Sequence, residues 1–356
     1  MSGYARRGGT KSSAEELHAI FGVLEKNEML IPTRLLTGQC LRTLVSYTLN
    51  NRTLGYIPGA ESLSTIADLV RKLKKQRPNL IYVLDRTVLS YILMSVPIVY
   101  SRSTHAAVMG DAGRLYVAED VIPVYRQMLP LATVITPNWF EVECVLISPL
   151  FPLPSDLTSQ QKRTLTSVQL KDAASLQRAL KILHDEYHVP NVVISSIPYK
   201  PWLSSFRSPS VDSSSPSLLC ICSTAHPSAL PTVYAQNVPL IPGYFSGVGD
   251  LFSSLLLAHF DLKTPCAEGE TPVSRAVSWA LTKTHAILTL THEHAENLPE
   301  ENRLPTDDEE DAKEPLRRIR RMRGRELRLI QSQDIIRGIE NLEVRKMEPW
   351  IGFWDA

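Results

Sequence analysis

This chain is poor in the features that mark a special environment. Its 356 residues hold five cysteines, at positions 40, 144, 220, 222 and 266, an odd number with no Cys-x-x-Cys pair. That scarcity predicts neither a disulfide framework nor a zinc site. Net charge is almost absent, since 38 Lys and Arg against 37 Asp and Glu leave +1. A dedicated nucleic-acid binder would be strongly basic, so no nucleic-acid partner is expected. Long apolar runs are missing too. Residues 87–100 invite a membrane reading, yet at roughly 14 residues they are shorter than the ~20 of a spanning helix. The opening Met1-Ser2-Gly3-Tyr4-Ala5-Arg6-Arg7 has no apolar signal core, which predicts a soluble cytoplasmic protein without a membrane partner.

The length suffices for one large α/β domain or two small ones. Ser13 with Glu16 forms a capping box, and Leu17, Ile20, Phe21 and Leu24 then recur at helical spacing. A second helix carries Leu63, Ile66, Val70 and Leu73. Pro78 separates it from the run Leu80-Ile81-Tyr82-Val83-Leu84, a buried strand ending at Asp85. Helices around 121–129 and 170–185 lead in the same way into strands at 133–136 and 191–195. Helices alternating with strands predict a mostly parallel, doubly wound sheet covered on both faces. Residues 204–217, rich in Ser and Pro, read as a surface loop, and 298–315 as an acidic flexible loop. The arginine-rich run that follows, 317–323, reads as a solvated helix face, with a nucleic-acid arm as the weaker alternative. His292 and His294 are two residues apart, so a helix would point them to different faces, and no metal site is expected there.

The most informative stretch is Phe245-Ser246-Gly247-Val248-Gly249-Asp250, which opens an apolar helix. Glycines let the backbone approach a ligand, and the free N–H groups of a helix start favour an anion. A carboxylate there can take a proton from an attacking hydroxyl. The plainer alternative is a turn capped by Asp at a helix start.

Residues 245–260 resemble the signature of ribokinase-superfamily kinases, and in detail that of the pyridoxal kinases. Three further segments agree in order. Residues 108–117 resemble the family's acidic metal loop, 136–143 its Thr-Pro-Asn-Gln-Phe-Glu-Ala-Glu stretch with Trp139 in place of Gln, and 326–332 its last strand. The likeness implies a single ribokinase-like domain over 1–356. It also implies that ATP phosphorylates the 5′-hydroxymethyl group of the B6 vitamers pyridoxal, pyridoxine or pyridoxamine, with Mg²⁺ and K⁺ as the expected ions. In the roles it implies, Asp250 is the base, and Gly247, Val248 and Gly249 form an anion hole. Asp85, Asp111 and Glu141 hold metal. Asn138, Ser195 and Ser196 contact ATP, and Tyr56 contacts the substrate ring. The intact family member is expected to be a homodimer.

The chain also departs from the family. The family's opening β-α-β unit is not recognisable, with Ser2-Gly3-Tyr4 as a possible tail. Its Leu-Leu-Thr-Gly-Tyr-Ile-Pro-Gly-Ala-Glu pattern is interrupted by 39–55, and its Leu-Asp-Pro-Val-Met-Gly-Asp pattern by 86–107. Both interruptions read as retained introns: suitable GT and AG codons would restore one Gly before Tyr56 and the missing Pro after Asp85. Real surface loops are the alternative. Two rival functions stay open, another superfamily kinase for a hydroxymethylpyrimidine or a sugar, and a non-catalytic isoform or partner subunit.

Overall fold

The computed structural model describes residues 13–27, 30, 32–37, 51–54, 59–85, 120–139, 142, 168, 170–198, 200–203, 217–242, 245, 247–303, 310 and 313–355. Helix α1 (Ala14–Lys26) starts at the expected capping box, with Ser13 and Glu16 bonded reciprocally. Leu17 and Phe21 pack on the core, whereas Ile20 points outward. Strand β1 (Arg34–Thr37) follows, then β2 (Asn51–Leu54) and α2 (Ala60–Gln76). In α2 the inward face is Leu63, Ile66, Val70 and Leu73, as the helical period requires. The helix ends at Arg77, and Pro78, which cannot continue it, turns the chain into β3 (Ile81–Leu84).

Next come α3 (Val121–Met128), β4 (Val134–Ile135), α4 (Ala173–Lys181) and β5 (Asn191–Pro198). Two long strands, β6 (Ser217–His226) and β7 (Ala229–Pro239), precede α5 (Val248–His259) and the 25-residue α6 (Pro272–Glu296). Helices α7 (Pro315–Arg323) and α8 (Gln333–Arg337) and strand β8 (Glu348–Pro349) complete the chain. Within the described residues no helix is long and apolar enough to cross a membrane.

The eight strands among the described residues form one sheet in the order β2-β1-β3-β4-β5-β6-β7-β8. Pairing is parallel from β2 through β5 and antiparallel from β5 to β8. Alternate strand residues feed two cores. Leu35, Tyr82, Leu84, Ile135 and Ile194 face the layer built by α2, α3 and α4. Leu36, Val83, Val134 and Val193 face α5 and α6. The fold is therefore the expected α/β sheet with helices on both faces, extended by an antiparallel half. Strand β2 comes from the segment expected as an insertion and pairs with β1 at the sheet edge.

Parallel pairing fixes where a site can lie, because the carboxyl ends of β1, β3, β4 and β5 all reach one edge. Two antiparallel reversals return β7 to that same edge, and it hands the chain on to Phe245 and Gly247. One expected element does not form: residues 326–332 make a single bridge at Glu326 and then turns. Their backbone is engaged elsewhere. The Arg328 N–H donates to Thr291 Oγ1 at 3.1 Å, and the Ser332 N–H to the Arg328 carbonyl. Thr282 and Ser278 likewise receive the N–H groups of Arg345 and Met347 at 2.9 Å, so α6 carries the C-terminal segment on a row of hydroxyls.

Three histidines are locked into this packing. His184 lies in a wide turn after α4, bonded to the Val189 carbonyl at 2.6 Å and the Ser223 hydroxyl at 2.8 Å. Since a carbonyl only accepts, Nδ1 carries the proton and Nε2 accepts from Ser223. Burial holds His184 below its ordinary pKa, and it pushes His259, beside Lys283 and Arg34, and His285, beside Arg345, down to about 4. Such groups stay neutral in the fold but take up protons near pH 6.5 once unfolded. The stability they contribute is complete above about pH 6.5 and is lost as pH falls toward 4. The melting temperature is expected to drop between pH 7 and 5, and to drop less in His285→Gln. Identical pH profiles for the two proteins would contradict this.

Candidate functional site

The carboxyl edge of the parallel strands carries a chain of buried polar groups. Asp85 directly follows β3 and is 5% exposed, and its N–H donates to the Thr37 carbonyl at 2.8 Å. The Thr136 hydroxyl, at the end of β4, donates to Asp85 Oδ1 at 2.9 Å. Ser253 Oγ lies 3.1 Å from the same hydroxyl. With the single Thr136 proton given to the carboxylate, Ser253 is the donor in that second bond. Thr37 and Tyr82 add a buried hydroxyl pair at 2.8 Å beside it. Unpaired polar groups are costly in such a place, so these bonds tie three elements together.

Ser253 belongs to α5, and through it the glycine-opened helix is pinned to Asp85. Gly247 caps α5 with φ +85°. A Cβ there would meet only Leu327 Cδ1 at 3.9 Å, an ordinary contact, so glycine is required by the left-handed backbone and not by lack of space. The Gly247 carbonyl accepts the Leu251 N–H at 3.0 Å, which starts the helical ladder. Val248, Gly249 and Asp250 form the first turn, where the N–H groups lack helical partners and the dipole favours negative charge. No side chain caps this start. Asp250 stands three residues before Ser253, one turn up the same helix.

Ser195 and Ser196 lie inside β5, which runs on to Pro198 beyond its expected end at 195. Ile194 pairs with Ile221 and Ile197 with Leu219, so the serines occupy a bulge with one residue more than the partner strand. The bulge lets Ile197 return to the face of Ile194, and bulges recur beside functional sites because they re-aim side chains. Asn138 follows β4, and its carbonyl accepts the Val142 N–H at 3.1 Å. Trp139 is buried, with the Lys200 ammonium 4.0 Å from its ring centre.

Asp85, Asn138, Ser195, Ser196 and the 247–250 turn thus stand on one edge of the sheet. Tyr56, Asp111 and Glu141 lie outside the described residues, as do 38–50 and 86–107. Among the described residues no three His, Cys, Asp or Glu side chains form a metal-binding group. Sequence reasoning passed over Thr136 and Ser253 as site residues although both sit within the matched stretches. A hydroxyl at a strand end and a serine amid the leucines of α5 were the available signals. Cys220 and Cys222 are free and buried on β6, and burial raises both thiols, which makes them unreactive core residues.

Known proteins resemble this chain in sequence and in fold. A Dictyostelium discoideum pyridoxal kinase is 28% identical over 332 residues, spanning 90% of this chain and 82% of its own length. A Schizosaccharomyces pombe protein, named provisionally as a pyridoxal kinase, is 28% identical over 239 residues. Both of these similar proteins carry the name pyridoxal kinase. The S. pombe match spans 66% of this chain and 59% of that relative. Solved structures share the fold: Leishmania donovani pyridoxal kinase in complex with ADP and pyridoxamine superposes with TM-score 0.60 at 22% identity, covering 98% of this chain and 85% of that one. The Trypanosoma brucei enzyme gives 0.57 at 18%, covering 98% and 84%. No family model matches the chain.

Proposed function

We propose that this chain transfers the γ-phosphoryl group of ATP to the 5′-hydroxymethyl oxygen of pyridoxal, pyridoxine or pyridoxamine. The observation that carries the reading is the Asp85–Thr136–Ser253 link, which joins a strand-end carboxylate to the glycine-opened helix at one sheet edge. Phosphoryl transfer asks a protein mainly for positioning and charge neutralisation. In this reading Asp250 accepts the proton of the attacking hydroxyl, the new O–P bond forms and ADP leaves. The amides of Gly247, Val248 and Gly249 receive the charge on the transferred group. Asn138, Ser195 and Ser196 hold the nucleotide, and Tyr56 packs on the pyridine ring.

Mg²⁺ prefers hard oxygen donors. Asp85 supplies carboxylate oxygens at this edge, and Asp111 and Glu141 would complete the set, with K⁺ as a second ion. Bound there, Mg²⁺ supplies neutralisation of phosphate charge. We place the protein in the cytoplasm, as a homodimer.

The interruptions favour a second reading, a non-catalytic isoform, because 86–107 begins right after Asp85. We propose that 39–55 and 86–107 are retained introns. Among the described residues, losing 39–55 would remove the edge strand β2 and leave the β1–β3 ladder intact. Transcript reads spliced at Gly38 and Asp85 would support this; their absence, with genomic codons lacking GT and AG in frame, would end it.

Phosphorylation assayed with Mg·ATP across the three vitamers, a hydroxymethylpyrimidine and ribose tests the activity. Turnover of the B6 vitamers alone is expected. Turnover confined to the pyrimidine or sugar would sink the substrate assignment, and none at all would favour the non-catalytic isoform.

A further inference from the structure

Lys200 lies just beyond β5, with its ammonium 4.0 Å from the centre of the Trp139 ring. Trp139 is 7% exposed and packed in the core layer of α2, α3 and α4, so the indole is a fixed platform. An aromatic face attracts a cation through its quadrupole but brings no net charge to neutralise it. The ion pairs among the described residues join other side chains, and none includes Lys200. Asn138 immediately precedes the platform, and the bulged Ser195 and Ser196 lie near the end of the strand that Lys200 follows. An ammonium that no carboxylate among the described residues pairs is therefore held at the edge where the proposed nucleotide contacts stand.

We infer that Lys200 is a further phosphate contact for a bound nucleoside di- or triphosphate, and that Trp139 holds its side chain in position. The inference rests on the kinase reading above. Its chemistry is specific: an ammonium offers three N–H donors and a full charge, matching the oxygens of a polyphosphate and nothing on an uncharged nucleoside. A different role is conceivable for the same contact, in which the Lys200 stem simply covers the indole. That role needs the methylenes and not the charge.

The test is calorimetric titration of the full-length protein with Mg·ATP, Mg·ADP and adenosine. Lys200→Met keeps the apolar stem and removes the charge. It is expected to weaken ATP and ADP by about 10-fold or more, the loss of one charge-assisted contact, and to leave adenosine binding unchanged. Lys200→Arg restores most of the affinity. Lys181→Met is the control, since Lys181 sits over Trp354 at 5.3 Å and Trp354 bonds the Pro231 carbonyl at the far end of β7. It should bind ATP normally. Equal ATP affinity in Lys200→Met and the unaltered chain overturns the inference while leaving the kinase reading in place, as does an equal loss for adenosine and ATP. If the unaltered chain binds neither ATP nor ADP, both fall together.

Discussion

Asp250→Asn is expected to lower turnover of pyridoxal by roughly 10² to 10⁴, the usual worth of a positioned general base, while leaving the ATP dissociation constant almost unchanged. The substitution keeps the size of the side chain and its place in the first turn of α5. It removes only the capacity to accept a proton. The amides of the Gly247 turn and the Asp85 carboxylate remain, so a lost base should register in the rate of transfer and not in binding. If Asp250 merely favours the helix start, the pattern reverses: turnover stays near normal and at most ~1 kcal/mol of stability is lost. Measuring kcat and the ATP dissociation constant on one sample separates the two, and a near-normal kcat would remove Asp250 from the mechanism.

The second large effect is expected at Thr136, a residue that touches no substrate in the proposed reaction. Thr136→Val is close to isosteric but cuts both bonds of the link at once. Asp85 loses its hydroxyl donor at a site only 5% exposed, and Ser253 is left facing a methyl group. Losing a hydrogen bond to a buried carboxylate and leaving the Ser253 hydroxyl unpaired costs about 1–3 kcal/mol, visible as a melting temperature lower by several degrees. Freed from the sheet edge, the start of α5 shifts relative to Asp85, and a displacement of about 1 Å can cost ~100-fold in rate. Thr136→Ser keeps the hydroxyl and should recover most of the activity, which a purely volumetric role would not allow. Ser253→Ala should be milder, since it removes one donor and leaves the carboxylate bonded. Unchanged kcat and melting temperature in Thr136→Val would show that the link does not position the site.

Local chemistry was written plainly in the chain. The Ser13 capping box, the leucine and isoleucine spacing of α2, the stop at Pro78 and the glycine turn before α5 each depend on residues a few positions apart. Short-range sterics and hydrogen bonding determine them whatever the rest of the molecule does. The alternation of helix and strand was enough to expect a mostly parallel sheet covered on both faces.

What tertiary structure decided is the set of contacts between distant segments. The Ser195–Ser196 bulge exists because β5 has one residue more than β6 opposite it, a count that β5 alone cannot reveal. The segment 326–332 was expected as a strand from its resemblance alone, but its N–H groups go to Thr291 and to local turns. Thr136 and Ser253 are 117 positions apart, and Lys200 meets Trp139 only because β4 and β5 are neighbours. Periodicity reports which face of an element is apolar. It does not report which polar side chain on one element will meet which on another, because that depends on strand order, register and the burial that makes each such bond obligatory.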